Sequence, residues 1–343
     1  MSTSRHRLTS RACRPALPIA AVAIAAAAMT ACGGGGSDAG ASGASSIDDA
    51  TATAYSANSA YVASDATDAA DTALITAQAV IALSASSAGA SADKNAAALQ
   101  AQAAATYDCP GGGTATVSIS GGNPARWTNG QLDAGEAYRI AFAACKGALG
   151  WRSVDGSYTL TVDAASGDNA NGTLALTTLA DNLSVASPRG GATLNGGASR
   201  SLTVATDANG SVHWSGHYVA SQWTLATRYN LRNATFTLTG VDIAREATVS
   251  AGMLQSASIS GGYTLAATLP RGAFSYTVAT TSPVVLDANG IPVSGGWTIL
   301  LPDALIAVSI ANNAATWTLD KGKDGTIDRT IVIPLPQLQG DAG

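Results

Sequence analysis

Apolar and polar residues alternate one by one over much of the chain, from Tyr107 to about Gly340. Residues 138–143 and 158–163 are clear examples, with every second side chain large and apolar. This period predicts strands with one buried face, which are typical of antiparallel rather than parallel sheets. The spacing of turn residues predicts roughly fifteen or more strands. We therefore expect a mainly β protein with a large antiparallel β domain over 107–340, folded as a barrel or a sandwich.

Dipeptides that favour tight turns recur between these strands. Six of them predict turns: Asn129-Gly130, Asp155-Gly156, Asn171-Gly172, Asn195-Gly196, Asn209-Gly210 and Asn289-Gly290.

Residues 47–106 have a different pattern, rich in Ala, and form a helical or partly disordered segment in our interpretation. The stretch from Ile47 to Leu83 lacks Pro and Gly, which predicts a helix. Asp48 and Asp49 stand at its start, where the helix dipole favours negative charge. A shorter helix is predicted from about Asp93 to Ala105.

The two faces of the longer helix differ in polarity. Asp65, Asp68 and Asp71 recur every three residues, and we expect them to form a solvated stripe. The opposite, apolar face is modest and would pack mainly through Ala. It comprises Tyr61, Val62, Ala69, Ile75 and Leu83.

The first 31 residues have the pattern of a secretory signal peptide. Four arginines precede an uncharged apolar run from Ala16 to Met29, which is shorter than a spanning helix. The following residues, Met29-Thr30-Ala31-Cys32, resemble the lipobox of bacterial lipoproteins. Residues 32–46 are rich in Gly and Ser and resemble the flexible tether of that family.

The lipobox resemblance implies that Cys32 is acylated and becomes the first residue of the mature chain. Several acyl chains would hold the protein on a lipid bilayer. In some bacterial lipoproteins, Asp directly after the acylated cysteine favours retention in the inner membrane. This chain has Gly33 at that position, which implies delivery to the outer membrane. An ordinary cleavable signal with an incidental cysteine is the alternative.

The charge of the chain indicates which partners it can bind, and its cysteines indicate the compartment in which it folds. All 23 acidic residues but only 14 of the 18 basic residues lie after residue 31, which leaves a formal charge of −9. An acidic surface argues against nucleic acid as a partner. In an oxidising envelope, Cys109 and Cys145 are the available pair for a disulfide, and no Cys/His cluster accompanies them to favour zinc instead.

Short motifs in the β region resemble uncharacterised β-rich lipoproteins of proteobacteria. The motifs are 109–113, 130–136, 142–145 and Asp155-Gly156, and the likeness extends to 320–328. The resemblance implies a fold and a location but no mechanism.

The sequence offers few candidate metal-binding or catalytic residues. His213 and His217 would stand ~13 Å apart on one strand face, too far to share a metal. Asp133 and Glu136 could form an acid/base pair, although solvated turn carboxylates are the favoured interpretation.

Asp320, Asp324 and Asp328 occupy positions one, five and nine of a calcium-loop pattern that lacks the ligands of positions three and twelve. A β-turn with solvated charges is therefore favoured over a weak calcium site. The six tryptophans are expected to fill the core rather than line a sugar-binding face. They are Trp127, Trp151, Trp214, Trp223, Trp297 and Trp317.

These observations favour a non-catalytic, membrane-anchored lipoprotein of the cell envelope, without a cofactor, whose β domain is a structural or binding module. An envelope protein or a glycan is the expected partner. The alternative is a carrier of an apolar ligand or a β-barrel inserted in the outer membrane.

Overall fold

The computed structural model describes residues 47–90, 104–127, 129–147, 152–168, 170–187, 190–229, 232–250, 253–269, 272–288 and 291–336. Within these ranges lie one α-helix, α1 (Asp49–Ala90), and fourteen strands. The strands are β1 (Ala105–Asp108), β2 (Thr114–Gly121), β3 (Glu136–Lys146), β4 (Ser153–Gly167), β5 (Gly172–Ser187), β6 (Gly190–Thr206), β7 (Val212–Tyr229), β8 (Arg232–Ser250), β9 (Met253–Leu269), β10 (Gly272–Leu286), β11 (Pro292–Leu300), β12 (Ala304–Ala311), β13 (Ala314–Lys321) and β14 (Arg329–Pro334).

The strands form one antiparallel sheet in which every strand pairs with the next in sequence, from β1 to β14. The predicted mainly β fold with a preceding helix is thus confirmed. The described strands make a single sheet that is not closed into a barrel, because no pairing joins β14 to β1 among them. Alternation does not decide this point, because it reports one buried face and not how the ends of the sheet meet.

Helix α1 lies against the apolar face of this sheet and contacts strands as distant as β1 and β11. Neighbouring strands are about 4.8 Å apart, so a flat sheet would separate these two by roughly 48 Å. A helix is only about 10–12 Å wide. The sheet therefore curves around the helix, and the core lies between the two.

Small residues bring the helix close to the strands. Nine alanines of α1 are buried: Ala52, Ala57, Ala60, Ala63, Ala66, Ala69, Ala70, Ala73 and Ala77. This confirms the predicted packing through Ala. At the amino end, the amide of Thr51 donates to Asp48 Oδ1 at 2.7 Å, which caps the helix.

The predicted solvated stripe of aspartates is wrong. Asp71 is buried, and Asp65 and Asp68 are only partly exposed. The predicted apolar face is partly wrong as well, because Ile75 and Leu83 are exposed. Both errors have the same cause. Because the sheet surrounds most of the helix, buried positions occur around most of α1, and an amphipathic period does not identify them.

The predicted shorter helix falls mostly on residues 93–103, which lie outside the described residues. Its last residue, Ala105, is the first residue of β1. The sheet thus begins two residues before the expected start of the β domain.

Two of the predicted turns are instead β-bulges within long strands. Asp155-Gly156 lies inside β4 and Asn195-Gly196 inside β6, each at a shift of strand register. Both glycines have positive φ, at 98° and 122°, which Gly adopts readily. Turns at Asn171-Gly172 and Asn209-Gly210 are confirmed between strands. Asn129-Gly130 lies in the β2–β3 loop, and Asn289-Gly290 lies outside the described residues.

Candidate functional site

The two cysteines of the β domain are placed as a disulfide-capable pair. Cys109 follows β1, Cys145 lies near the end of β3, and their Cα atoms are 5.4 Å apart. Both residues are buried. Backbone hydrogen bonds surround the pair, from Cys109 N to Gly113 O at 2.9 Å and from Lys146 N to Gly112 O at 2.8 Å. The pair thus fastens the short edge strand β1 to the sheet.

Replacing both cysteines, Cys109→Ser with Cys145→Ser, is expected to lower the melting temperature. A crosslink that spans 36 residues contributes about 4 kcal/mol in the chain-entropy model. The β spectrum should persist, because most of the core lies in later strands. Thermal unfolding followed by circular dichroism measures the change, and reduced wild-type protein should match the double variant. An unchanged melting curve, or two reactive thiols in unreduced denatured protein, would contradict this role.

The two histidines lie on the same face of one strand, as expected, and this face is the outer, solvent-facing side of the sheet. His213 and His217 are exposed on β7. His217 Nε2 is 2.7 Å from Asp242 Oδ1, whereas His213 Nε2 is 3.5 Å from Asp207 Oδ2. Each therefore has a different carboxylate neighbour. Within the described ranges, no group of three or more His, Cys, Asp or Glu side chains converges as a metal site would require.

The aspartates of the calcium-like loop turn toward backbone amides. Asp320 is buried, and its two oxygens accept from the amides of Asp324 at 3.1 Å and Gly325 at 3.0 Å. Asp328 Oδ2 accepts from Lys321 N at 2.6 Å. These bonds close the β13–β14 turn, which agrees with the turn interpretation. The expectation of solvated charges is wrong for Asp320, because the turn folds over its carboxylate.

Most of the tryptophans fill the core, as predicted. Trp127, Trp223, Trp297 and Trp317 are buried, and Trp214 packs partly buried against them. Trp151 lies outside the described residues.

Asp133 in the β2–β3 loop and Glu136, the first residue of β3, lie together, but they are not a solvated pair. Asp133 accepts from Arg126 Nη2 at 2.7 Å and from Asn129 Nδ2 at 2.6 Å. Glu136 is buried, and its Oε2 accepts from Tyr138 Oη at 2.7 Å and from Asp133 N at 2.8 Å. The expectation of solvated carboxylates is therefore wrong for Glu136, because the loop folds back over the start of β3.

Burial raises the pKa of Glu136, and the hydrogen bonds from Tyr138 and from the Asp133 amide act in the opposite direction. The folded protein thus holds this proton more tightly than the unfolded chain does. The resulting stabilisation is present below the ordinary pKa of glutamate and is lost as pH rises through the folded-state pKa.

Glu136→Gln is expected to reduce the change of folding stability with pH, since the amide does not ionise. The variant should therefore gain stability relative to wild type as pH rises from the ordinary pKa of glutamate through the raised pKa of the folded state. Urea unfolding at several pH values measures the effect, with Glu246→Gln on the exposed side of β8 as a matched control. A wild-type pH slope in Glu136→Gln would show that the buried carboxyl is not responsible.

An open cleft of about 330 Å³ lies beside this loop. Its walls come from four parts of the fold: Gln78 of α1, the β2–β3 loop, the β4–β5 hairpin and Val204 of β6. The β2–β3 wall includes the short 3₁₀ helix Pro124–Arg126. The volume of the cleft is at the lower end of the range for small-molecule sites.

Internal hydrogen bonds hold the cleft walls in place. Gly135 N donates to Val162 O at 2.7 Å, which ties the loop to β4. On the opposite wall, Asp168 Oδ1 accepts from the amides of Ala170 at 2.8 Å and Asn171 at 2.7 Å. Hydrogen bonds within the chain therefore fix both walls.

A second polar cluster, which sequence reasoning missed, lies in the core between α1 and the sheet. Asp71 accepts from Arg200 Nη2 and Tyr218 Oη through Oδ1, and from Arg245 Nη1 at 2.6 Å through Oδ2. All four residues are buried. The ring of Tyr218 also lies 4.7 Å from Arg200 Cζ, which suits a cation–π contact.

Helix and sheet are linked by further charged contacts at the edge of this cluster. Asp68 accepts from Arg152 and lies 3.6 Å from Arg245 Nη2. Burial acts to lower the pKa of Arg245, but Asp71 and Asp68 outweigh it and raise that pKa above its ordinary value. Arg245 is therefore charged, and its contacts with Asp68 and Asp71 fix the helix relative to the strands.

Comparison of the chain with protein-family models, curated proteins and solved structures finds no match. The predicted lipidation residue, Cys32, lies outside the described residues. Among the residues that are described, no helix combines the length and hydropathy needed to cross a bilayer. The residues that line the cleft are therefore the basis for what it can bind.

Proposed function

We propose that this chain is a lipid-anchored, non-catalytic protein of the cell envelope whose β domain is a binding module. The anchor is acylated Cys32, the expected location is the outer membrane, and the cleft beside the β2–β3 loop is the binding site. The observation that carries the proposal is a cleft whose walls come from four parts of the fold and are held by internal hydrogen bonds, on a sheet whose concave side is filled by α1.

The filled interior favours this module over a carrier of apolar ligands. An apolar ligand would need the space between the curved strands, which the alanines of α1 occupy. The cleft borders this core, because Leu132 belongs to the core cluster and Leu174 and Val204 pack against it, and polar groups line the rest of the cleft.

The chemistry of the cleft carboxylates supports a role in binding rather than catalysis. Both oxygens of Asp133 are engaged by Arg126 and Asn129, and Glu136 is buried below the loop. General acid–base work needs a carboxyl within reach of the substrate proton. These two groups instead hold the loop in place.

Cys32→Ala is expected to release the protein from the membrane fraction, because acyl chains at this residue are the proposed anchor. Fractionation of cells followed by a high-salt wash measures the change. Cys13→Ala, within the signal peptide, is the matched control and should remain membrane-bound. Retention of Cys32→Ala in the washed membranes would overturn the anchor.

A further inference from the structure

The groups that line the cleft are mostly planar and able to hydrogen-bond. Gln78, Asn123 and Gln131 contribute side-chain amides, Arg126 a guanidinium and Asp168 a carboxylate. Asn123 Oδ1 already accepts from the Ala125 amide at 3.1 Å, so this side chain offers the cleft its NH₂ group. Amide, guanidinium and carboxylate groups each present two adjacent polar atoms, a geometry suited to paired donors and acceptors. Adjacent hydroxyls of a sugar ring offer that pairing.

The charge of the cleft is small. Arg126 is paired with Asp133 at 2.7 Å, and Asp168 already accepts two backbone amides through one oxygen. No cationic group in the lining is thus left to balance a phosphate or a carboxylate. A neutral ligand fits this balance better than an anionic one.

The apolar part of the lining is limited to short aliphatic side chains. Leu132, Ala134, Ala165, Leu174 and Val204 contribute it. A lipid chain would need a larger apolar surface. An extended peptide would need a free strand edge, but β4, β5 and β6 are hydrogen-bonded to neighbours on both sides.

We infer that the cleft binds a neutral saccharide, through the amides of Gln78, Asn123 and Gln131 and the outer oxygen of Asp168. This inference rests on the proposed function and names its ligand class. The sugar lies on the aliphatic floor with its hydroxyls toward the planar groups. Because the lining described for the cleft contains no aromatic platform, the dissociation constant should be roughly millimolar.

Ligand-observed saturation-transfer NMR tests the inference on the full chain in a detergent without a sugar headgroup. The probes are N,N′-diacetylchitobiose and maltose, with glucose 6-phosphate as the anionic counterpart. The double variant Gln78→Leu with Gln131→Leu removes two amides from the cleft. Gln222→Leu removes an exposed amide of β7 far from the lining and is the matched control.

We expect at least one neutral probe to show saturation transfer, at least fivefold weaker in the cleft variant and unchanged in the control. Equal melting temperatures of the three proteins would exclude unfolding as the cause. Absence of transfer from both neutral probes, equal transfer in the cleft variant, or stronger binding of glucose 6-phosphate would each overturn the inference. Membrane release of Cys32→Ala is measured separately, so failure here is distinguishable from failure of the anchor.

Discussion

Asp71→Ala should be among the most destabilising single changes in the chain, with an expected loss of about 3–5 kcal/mol in the free energy of unfolding. Asp71 is the carboxylate that both Arg200 and Arg245 contact, and both guanidiniums are buried. Arginine does not lose its proton in proteins, so these charges would remain in the core. Tyr218 would also lose the acceptor of its hydroxyl. Chemical denaturation measures the change.

Two further variants separate the loss of this charge pairing from a general effect of removing an aspartate. Asp303→Ala removes an exposed aspartate and should leave stability within about 0.5 kcal/mol of wild type. The triple variant Asp71→Leu, Arg200→Met, Arg245→Leu removes the buried charges together and should recover much of the loss. If Asp71→Ala unfolds like wild type, the cluster does not hold the helix in the sheet.

Gly261→Ala is expected to cost about 3 kcal/mol, since strain at an unusual backbone conformation and overpacking each contribute about 1–3 kcal/mol. Gly261 has φ of 130° at a register shift in the β8–β9 pairing, a conformation that is almost exclusive to Gly. An added Cβ would meet the carbonyl oxygen of Asp242 and lie 2.9 Å from Ile243 Cα. Both obstacles are backbone atoms and cannot rotate away.

Gly240→Ala is the matched control for this change. Gly240 also has positive φ, at 58°, but no atom lies within 4 Å of the Cβ that Ala would add. The left-handed conformation alone costs about 1–2 kcal/mol. Equal melting temperatures of the two variants would show that close backbone approach at the bulge does not matter.

The strands and the helix could be predicted because their signals are local. Alternation in residues 138–143 requires only that one face of the strand be buried, and β3 obeys it from Glu136 to Ala143, up to a shift of register before Cys145. Helix α1 follows from Ala content and the absence of Pro and Gly over residues 47–83, with Asp48 as its cap. The cysteine pair was also predictable, because no other cysteine of the β region competes for either partner.

The cleft and the buried role of Glu136 could not be read from the sequence. Gln78 and Val204 are 126 residues apart, and nothing in the spacing of either residue marks it as part of a cleft. Glu136 resembles an ordinary turn carboxylate until the β2–β3 loop is seen to fold over it.

By itself, the sequence determined the local elements of this protein: one Ala-rich helix, long alternating strands in antiparallel order, and a cysteine pair. Only the tertiary structure decided that the sheet curves around the helix and that Asp71 is buried. The physical reason is distance along the chain. Arg200 and Arg245 lie 129 and 174 residues from Asp71 in the sequence. The residues near Asp71 in the sequence therefore indicate only a helical surface charge, and the carboxylate gains its partners when β6 and β8 pack on α1.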